Sequence, residues 1–141
     1  MGDAGQKHIV VVEDEAAFAR LVKWKLESEG YSVRTEKCGK AALTYIAESW
    51  PDLVILDVRL PDISGYEVCH ELRELAYPLS IPVLMLTAMN RPIDQIRGFA
   101  NGADAYMTKP VEAPELLETV AQLLSRTDRP GPRLDQGGRR P

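Results

Sequence analysis

Four apolar runs in this chain each end in a polar residue of a different kind, and together those residues could carry out one reaction. Ile9-Val10-Val11-Val12 leads into Glu13-Asp14, and Leu53-Val54-Ile55-Leu56 leads into Asp57. Val83-Leu84-Met85-Leu86 leads into Thr87, and Ala105-Tyr106-Met107-Thr108 leads into Lys109-Pro110. Three carboxylates brought together repel one another, so their ionised forms need a counter-charge. A hard cation such as Mg²⁺ takes carboxylate and phosphate oxygens at about 2.1 Å, and an ammonium adds a compact positive charge. A carboxylate can also attack a phosphoryl group to give an acyl phosphate. Charge developing on the phosphoryl oxygens would then be met by the cation, the ammonium and a hydroxyl donor. The set Glu13, Asp14, Asp57, Thr87 and Lys109 therefore suits a divalent cation beside a phosphoryl group. Asp57, alone at its strand end opposite the Glu13-Asp14 pair, is the best nucleophile.

That chemistry requires the runs to be parallel strands. Short, continuous, branched-rich runs fit strands buried on both faces, and in an open parallel sheet the ligand crevice lies at their C-terminal ends. Taken singly, each polar residue has a plain structural role. Asp14 could cap a helix, Asp57 or Thr87 could begin a loop, and Lys109 could be a solvated charge. Their joint placement at the ends of strands one, three, four and five, expected to lie centrally, favours a shared site. Strand two, Tyr31–Thr35, alternates like an edge strand and ends in Glu36-Lys37 without adding to the set.

Helical periods fill the intervals. Phe18, Leu21, Val22 and Leu26 share one face, with Asp14 as the cap and Gly30 as a left-handed terminator. Ala41, Ala42, Tyr45 and Ile46 mark a second helix, stopped before Pro51. Ser64 and Glu67 form a capping box for a third helix, which turns Val68, Leu72 and Leu75 inward. Pro78 and Pro82 bracket the approach to strand four. Ile93, Ile96, Phe99 and Ala100 mark a short fourth helix ending at Asn101-Gly102. Pro114 opens a fifth, with Leu116, Leu117, Val120, Leu123 and Leu124 on its buried face. Five βα units predict a doubly wound α/β sandwich with right-handed crossovers.

At 141 residues the chain is of single-domain length, with formal net charge −4. Residues 127–141 hold four arginines against Asp128 and Asp135, so the acidity lies in residues 1–126. An acidic body without a basic stripe argues against direct nucleic-acid binding. Cys38 and Cys69 have no metal or redox spacing and read as thiols in a reducing cytosol. With no signal peptide and no apolar stretch of about 20 residues, no membrane role is expected and the location is expected to be cytoplasmic. Residues 1–7 read as an N-terminal extension. Six of the fifteen residues from 127 onward are Gly or Pro, which predicts a disordered tail or linker there. His8 and His70 lack a helical-hairpin setting for phosphorelay and read as surface or partner-packing residues. Trp24 and Trp50 read as packing residues at helix edges.

Four segments carry a resemblance to a known family: Val11-Val12-Glu13-Asp14-Glu15, Asp57-Val58-Arg59-Leu60-Pro61-Asp62-Ile63-Ser64-Gly65, Leu86-Thr87-Ala88, and Gly102 through Pro110. Across residues 8–126 the chain resembles the receiver domain of two-component response regulators, chemotaxis-regulator-like. The resemblance implies a flavodoxin-like (βα)5 sandwich of strand order 2-1-3-4-5. It implies Asp57 as phosphoacceptor, with Mg²⁺ held by Glu13, Asp14, Asp57 and the main-chain carbonyl of Arg59. It also implies that Thr87 and Lys109 contact the phosphoryl group and that Tyr106 turns inward when Thr87 moves. The Lys109–Pro110 bond is expected to be cis. Glu13, Ser64 and Val111 depart from residues frequent in the family, where Asp, Asp and Phe are common.

The implied function is phosphorelay signalling, with a histidine kinase or phosphotransfer protein as donor. The chain is expected to be a phosphoacceptor, with at most self-phosphorylation from small donors and self-dephosphorylation, rather than an enzyme. Output is expected through a partner or a homodimer on the face of helix four, strand five and helix five. A variant is a receiver cut from a longer regulator with an output domain. An aspartyl-phosphate phosphohydrolase of the haloacid-dehalogenase kind would need a second Asp two positions after Asp57, where Arg59 stands, and a cap domain. A flavin or nucleotide binder would need a Gly-rich loop after the first strand, where Glu13-Asp14 stands.

Overall fold

The computed structural model describes residues 5–77 and 80–127. Among them, strands and helices alternate: β1 (His8–Val12), α1 (Ala16–Glu27), β2 (Ser32–Glu36), α2 (Gly39–Ser49), β3 (Leu53–Leu56), α3 (Gly65–Ala76), β4 (Val83–Thr87), α4 (Pro92–Ala100), β5 (Ala105–Thr108) and α5 (Ala113–Thr127). All pairings are parallel, in the order β2-β1-β3-β4-β5. The doubly wound sandwich expected from the alternating periods is present. Pro78 and the segment beyond Thr127 lie outside the described residues.

Alternation along each strand divides the core into two layers, because successive side chains leave opposite faces of a sheet. Val10, Val12, Val54, Leu56, Val83 and Met85 pack with Ala42 and Ile46 of α2 and Val68, Cys69 and Leu72 of α3. Ile9, Val11, Leu53, Ile55, Leu84 and Leu86 pack with Val22 and Leu26 of α1 and Leu116, Val120, Leu123 and Leu124 of α5. With both faces covered, the buried stretches 9–12 of β1, 53–56 of β3 and 83–86 of β4 have no room for polar side chains until they end.

Several expectations need correction. β5 is not central: it is the second edge strand, and all four of its residues are half-buried. Leu21 and Leu75 are exposed, because their helices bury narrower faces than the periodicity suggested; Ala19 and Ala76 are buried instead. Asp14 does not cap α1. The N-cap position belongs to Glu15, whose side chain makes no capping bond. Gly30 does adopt positive φ (94°), two residues beyond the Ser28 C-cap. Trp24 and Trp50 are exposed rather than packed, and Trp50 closes α2 in a left-handed conformation.

His8 is the opposite case. Its ring is half-buried, with Nδ1 3.0 Å from Ser32 Oγ and Nε2 2.6 Å from the Tyr45 hydroxyl. It ties β1 to β2 and α2 rather than serving a surface. Ser64 caps α3, accepting from the Glu67 backbone N–H at 3.2 Å. The α2 cap comes from a distant loop: Asp62 accepts from the Gly39 and Lys40 N–H groups, each at 2.8 Å.

Candidate phosphoryl-transfer site

β1, β3, β4 and β5 all release their chains at the same edge of the sheet. Register places Val12 beside Leu56 and Thr87 beside Thr108, so Glu13, Asp57, Thr87 and Lys109 follow at adjoining strand ends. Backbone bonds hold these exits together. Asp57 donates its N–H to Val12 O at 3.0 Å, and Lys109 donates its N–H to Thr87 O at 2.8 Å. The loop after Asp57 folds back tightly, with Gly65 N–H donating to Val58 O at 2.8 Å. A Cβ on Gly65 would meet the Asp57 carbonyl oxygen and lie 2.8 Å from Val58 Cα, so only glycine fits this return.

Glu13, Asp14 and Asp57 each offer a carboxylate oxygen, and these oxygens lie within 4.8 Å of one another. Glu13 and Asp57 are buried, at 4% and 6% exposure, while Asp14 is exposed. The Lys109 ammonium bridges the buried pair, 2.8 Å from Glu13 Oε1 and 3.2 Å from Asp57 Oδ2. Glu13 Oε2 accepts from the Glu15 N–H at 3.0 Å, and Asp57 Oδ1 accepts from the Arg59 N–H at 3.2 Å. The face of the Phe18 ring lies 4.4 Å from the same ammonium.

Burial pushes the Glu13 carboxyl above its usual range, and the charge of Asp57 adds to this. The hydrogen bonds from Lys109 and the Glu15 N–H only partly oppose it. For Lys109, burial pulls downward, but the bond to Glu13 and the charges of Asp57 and Glu13 more than offset it, leaving the ammonium above its ordinary value. Three carboxylates against one ammonium leave the cluster under-compensated. All-oxygen donors with excess negative charge fit a hard divalent cation.

Thr87 is fully buried, and its hydroxyl oxygen accepts from the Met89 N–H at 3.3 Å. Tyr106 donates to Met89 O at 2.9 Å, so the loop after β4 touches both proposed switch residues. Burial, and after it the neighbouring Tyr66 hydroxyl, hold the Tyr106 phenol well above its ordinary pKa. The Lys109–Pro110 bond is cis, as expected.

Each residue of the expected set thus stands at the same edge of the sheet. Sequence reading missed two neighbours. The apolar spacing places Phe18 only on the core face of α1, although its position one turn beyond Asp14 keeps it at this edge. Tyr66 donates to Asp94 O at 3.0 Å and lies under the Arg97 guanidinium, joining α3 to α4. No periodicity signals a bond of that kind.

Fold and site together define a class: a parallel α/β sandwich with an acidic cluster and one lysine at its strand ends. Comparison with known proteins agrees with this class. The chain belongs to the response regulator receiver domain family, whose description matches residues 9–121. It is 43% identical over 118 residues to the phosphate regulon transcriptional regulatory protein PhoB of Rhizobium meliloti, covering 84% of this chain and 52% of that protein. It is 42% identical over 121 residues to the DNA-binding dual master transcriptional regulator RpaA of Synechocystis, covering 86% and 50%. The chain therefore spans about half the length of these curated relatives. Among solved structures it resembles a CheY-like receiver domain protein from Methanospirillum hungatei, with TM-score 0.83, 29% identity and coverage of 90% and 100%. It also resembles the BeF3-activated N-terminal receiver domain of Klebsiella pneumoniae RstA, with TM-score 0.78, 31% identity and coverage of 83% and 97%. The module is one of two-component phosphorelay signalling. Among the described residues no helix is long and apolar enough to cross a membrane.

Proposed function

We propose that Asp57 accepts a phosphoryl group from a histidine kinase or phosphotransfer protein, and that the acyl phosphate switches a protein-interaction surface. The observation that carries this reading is the Lys109 ammonium bridging buried Glu13 and Asp57 inside a three-carboxylate cluster. In the transfer, an Asp57 carboxylate oxygen bonds to phosphorus while the bond to the donor's imidazole nitrogen breaks, and the nitrogen keeps that electron pair. Glu13, Asp14, Asp57 and the Arg59 main-chain carbonyl would hold Mg²⁺. When bound, that ion neutralises charge on the transferring oxygens. Lys109 offsets the remaining charge, and the Thr87 hydroxyl donates to a phosphoryl oxygen.

The chain acts as a phosphoacceptor rather than an enzyme on external substrates. It is a cytoplasmic module that signals by protein contact, without touching nucleic acid itself. The half-length match to transcriptional regulators supports a receiver joined to an output domain. The output face is α4-β5-α5, where Ile93, Ile96 and Phe99 stand exposed on α4 and Phe99 packs beside Tyr106; a partner or a second copy of the chain docks there. Incubation with acetyl phosphate and Mg²⁺ is expected to add one adduct of about 80 Da, as acyl-phosphate chemistry requires. Persistence of that adduct in Asp57→Asn overturns the assignment, and Glu13→Gln with Asp14→Asn is expected to abolish it.

A further inference from the structure

We propose that Phe18 is a positioning residue for phosphoryl transfer, its ring face holding the Lys109 ammonium beside Asp57 once a divalent cation is bound. The inference rests on the reading of Asp57 as phosphoacceptor. Lys109 reaches across the sheet edge from the end of β5, and among the described residues its ammonium meets two carboxylates and one ring. The carboxylate contacts are Glu13 Oε1 at 2.8 Å and Asp57 Oδ2 at 3.2 Å. The ring is that of Phe18 at 4.4 Å, inside the range of a cation–π contact.

Both carboxylates belong to the cluster that fits the cation, so loading the site makes the metal and the ammonium compete for the same oxygens. The ring competes with neither, because an aromatic face is no ligand for a hard ion. It is the contact that persists when the carboxylates are drawn toward the metal. Phe18 can hold this position because its own ring packs against the α1-α5 core layer, which includes Val22 and Leu116. The ammonium therefore meets a ring that is itself packed on the core.

Phe18→Leu removes the π face and keeps apolar bulk, whereas Phe18→Tyr keeps both. With Mg²⁺ and acetyl phosphate, the leucine variant is expected to form the Asp57 adduct about three to ten times more slowly, the span of a partly desolvated cation–π contact. The tyrosine variant is expected to stay within about twofold of wild type on the same basis. A second readout needs no phosphorylation. In the Mg²⁺-loaded protein the Lys109 ε-methylene protons are expected to show an upfield ring-current shift in wild type and Phe18→Tyr, lost in Phe18→Leu. Equal slowing in both variants, a wild-type rate in Phe18→Leu, or an unchanged Lys109 shift in Phe18→Leu overturns the proposal. Failure of wild type to form any adduct overturns the phosphoacceptor reading instead, and the Lys109 shift still decides where Phe18 stands.

Discussion

The Thr87 hydroxyl is buried and already engaged, accepting from the Met89 N–H. The next carbonyl along that contact, Met89 O, accepts from Tyr106. A phosphoryl group on Asp57 would draw the Thr87 hydroxyl as a donor, and Met89 would have to adjust. Tyr106 would register that adjustment through its own bond to Met89 O. A ligand shifts an equilibrium only by its differential interaction with the two states, and on the proposed mechanism the hydroxyl would supply that difference. Thr87→Ala is accordingly expected to form the Asp57 adduct while losing most of the phosphorylation-induced amide shifts in α4. It is also expected to cost about 1 kcal/mol of stability, because the Met89 N–H loses its acceptor. Wild-type shifts in α4 of the phosphorylated variant, read by ¹⁵N correlation spectra, would remove Thr87 from the coupling.

Two loops share one carboxylate at the level of elements. Asp62, in the loop after Asp57, accepts from the first two N–H groups of α2, so the end of β3 is fastened to the start of a different βα unit. The N-cap residue of α2, Cys38, makes no side-chain bond of its own. The Lys40 N–H first, and the Gly39 N–H after it, hold the Asp62 carboxyl far below the usual range. A depressed carboxyl contributes stability that is present above its unfolded pKa and lost as pH falls through the folded one. This contribution is thus expected to fade as pH drops below about 4. Asp62→Asn keeps an acceptor oxygen but cannot titrate. Urea midpoints measured from pH 6 downward are expected to fall less steeply for this variant than for wild type. Parallel acid limbs would mean that the Asp62 charge has no part in anchoring α2.

Across the whole molecule, burial is uneven. β1, β3 and β4 are closed in on both faces, whereas α4 buries only Asp94 and Gly98. Its apolar residues Ile93, Ile96 and Phe99 face outward, with Ile96 61% exposed. Among the described residues, α4 is joined to its neighbours by the Tyr66 hydroxyl on Asp94 O, Arg97 over Tyr66, and Tyr106 against Phe99 and the space above Gly98. An element held by so few apolar contacts opens at low cost, which suits it to be the part that answers a local charge change. Hydrogen exchange with and without beryllofluoride, a mimic of the phosphoryl group, is expected to change protection over residues 91–109 as well as at the Asp57 loop. Changes confined to that loop would place the output face elsewhere.

The identities and order of the site residues were legible in the sequence, because a strand buried on both faces excludes polar side chains until it ends. Three such endings, with Glu13-Asp14, Asp57 and Thr87 at them, and Lys109 at the end of the half-buried β5, were enough to specify the sheet edge these residues share. Helix positions followed from apolar spacing, but the width of each buried face did not: Leu21 and Leu75 have the right period and lie outside the core. Periodicity records direction around an axis, while exposure depends on how far the neighbouring element extends. The same limit hid the contacts made between elements distant in sequence. Asp62 on the N-terminus of α2, His8 between Ser32 and Tyr45, Tyr66 under Arg97, and Phe18 against Lys109 each join residues with no spacing rule between them. Local sequence dictates which strand end bears which chemistry. The side chains that brace that chemistry are chosen only when the layers close, because only then are their distances set.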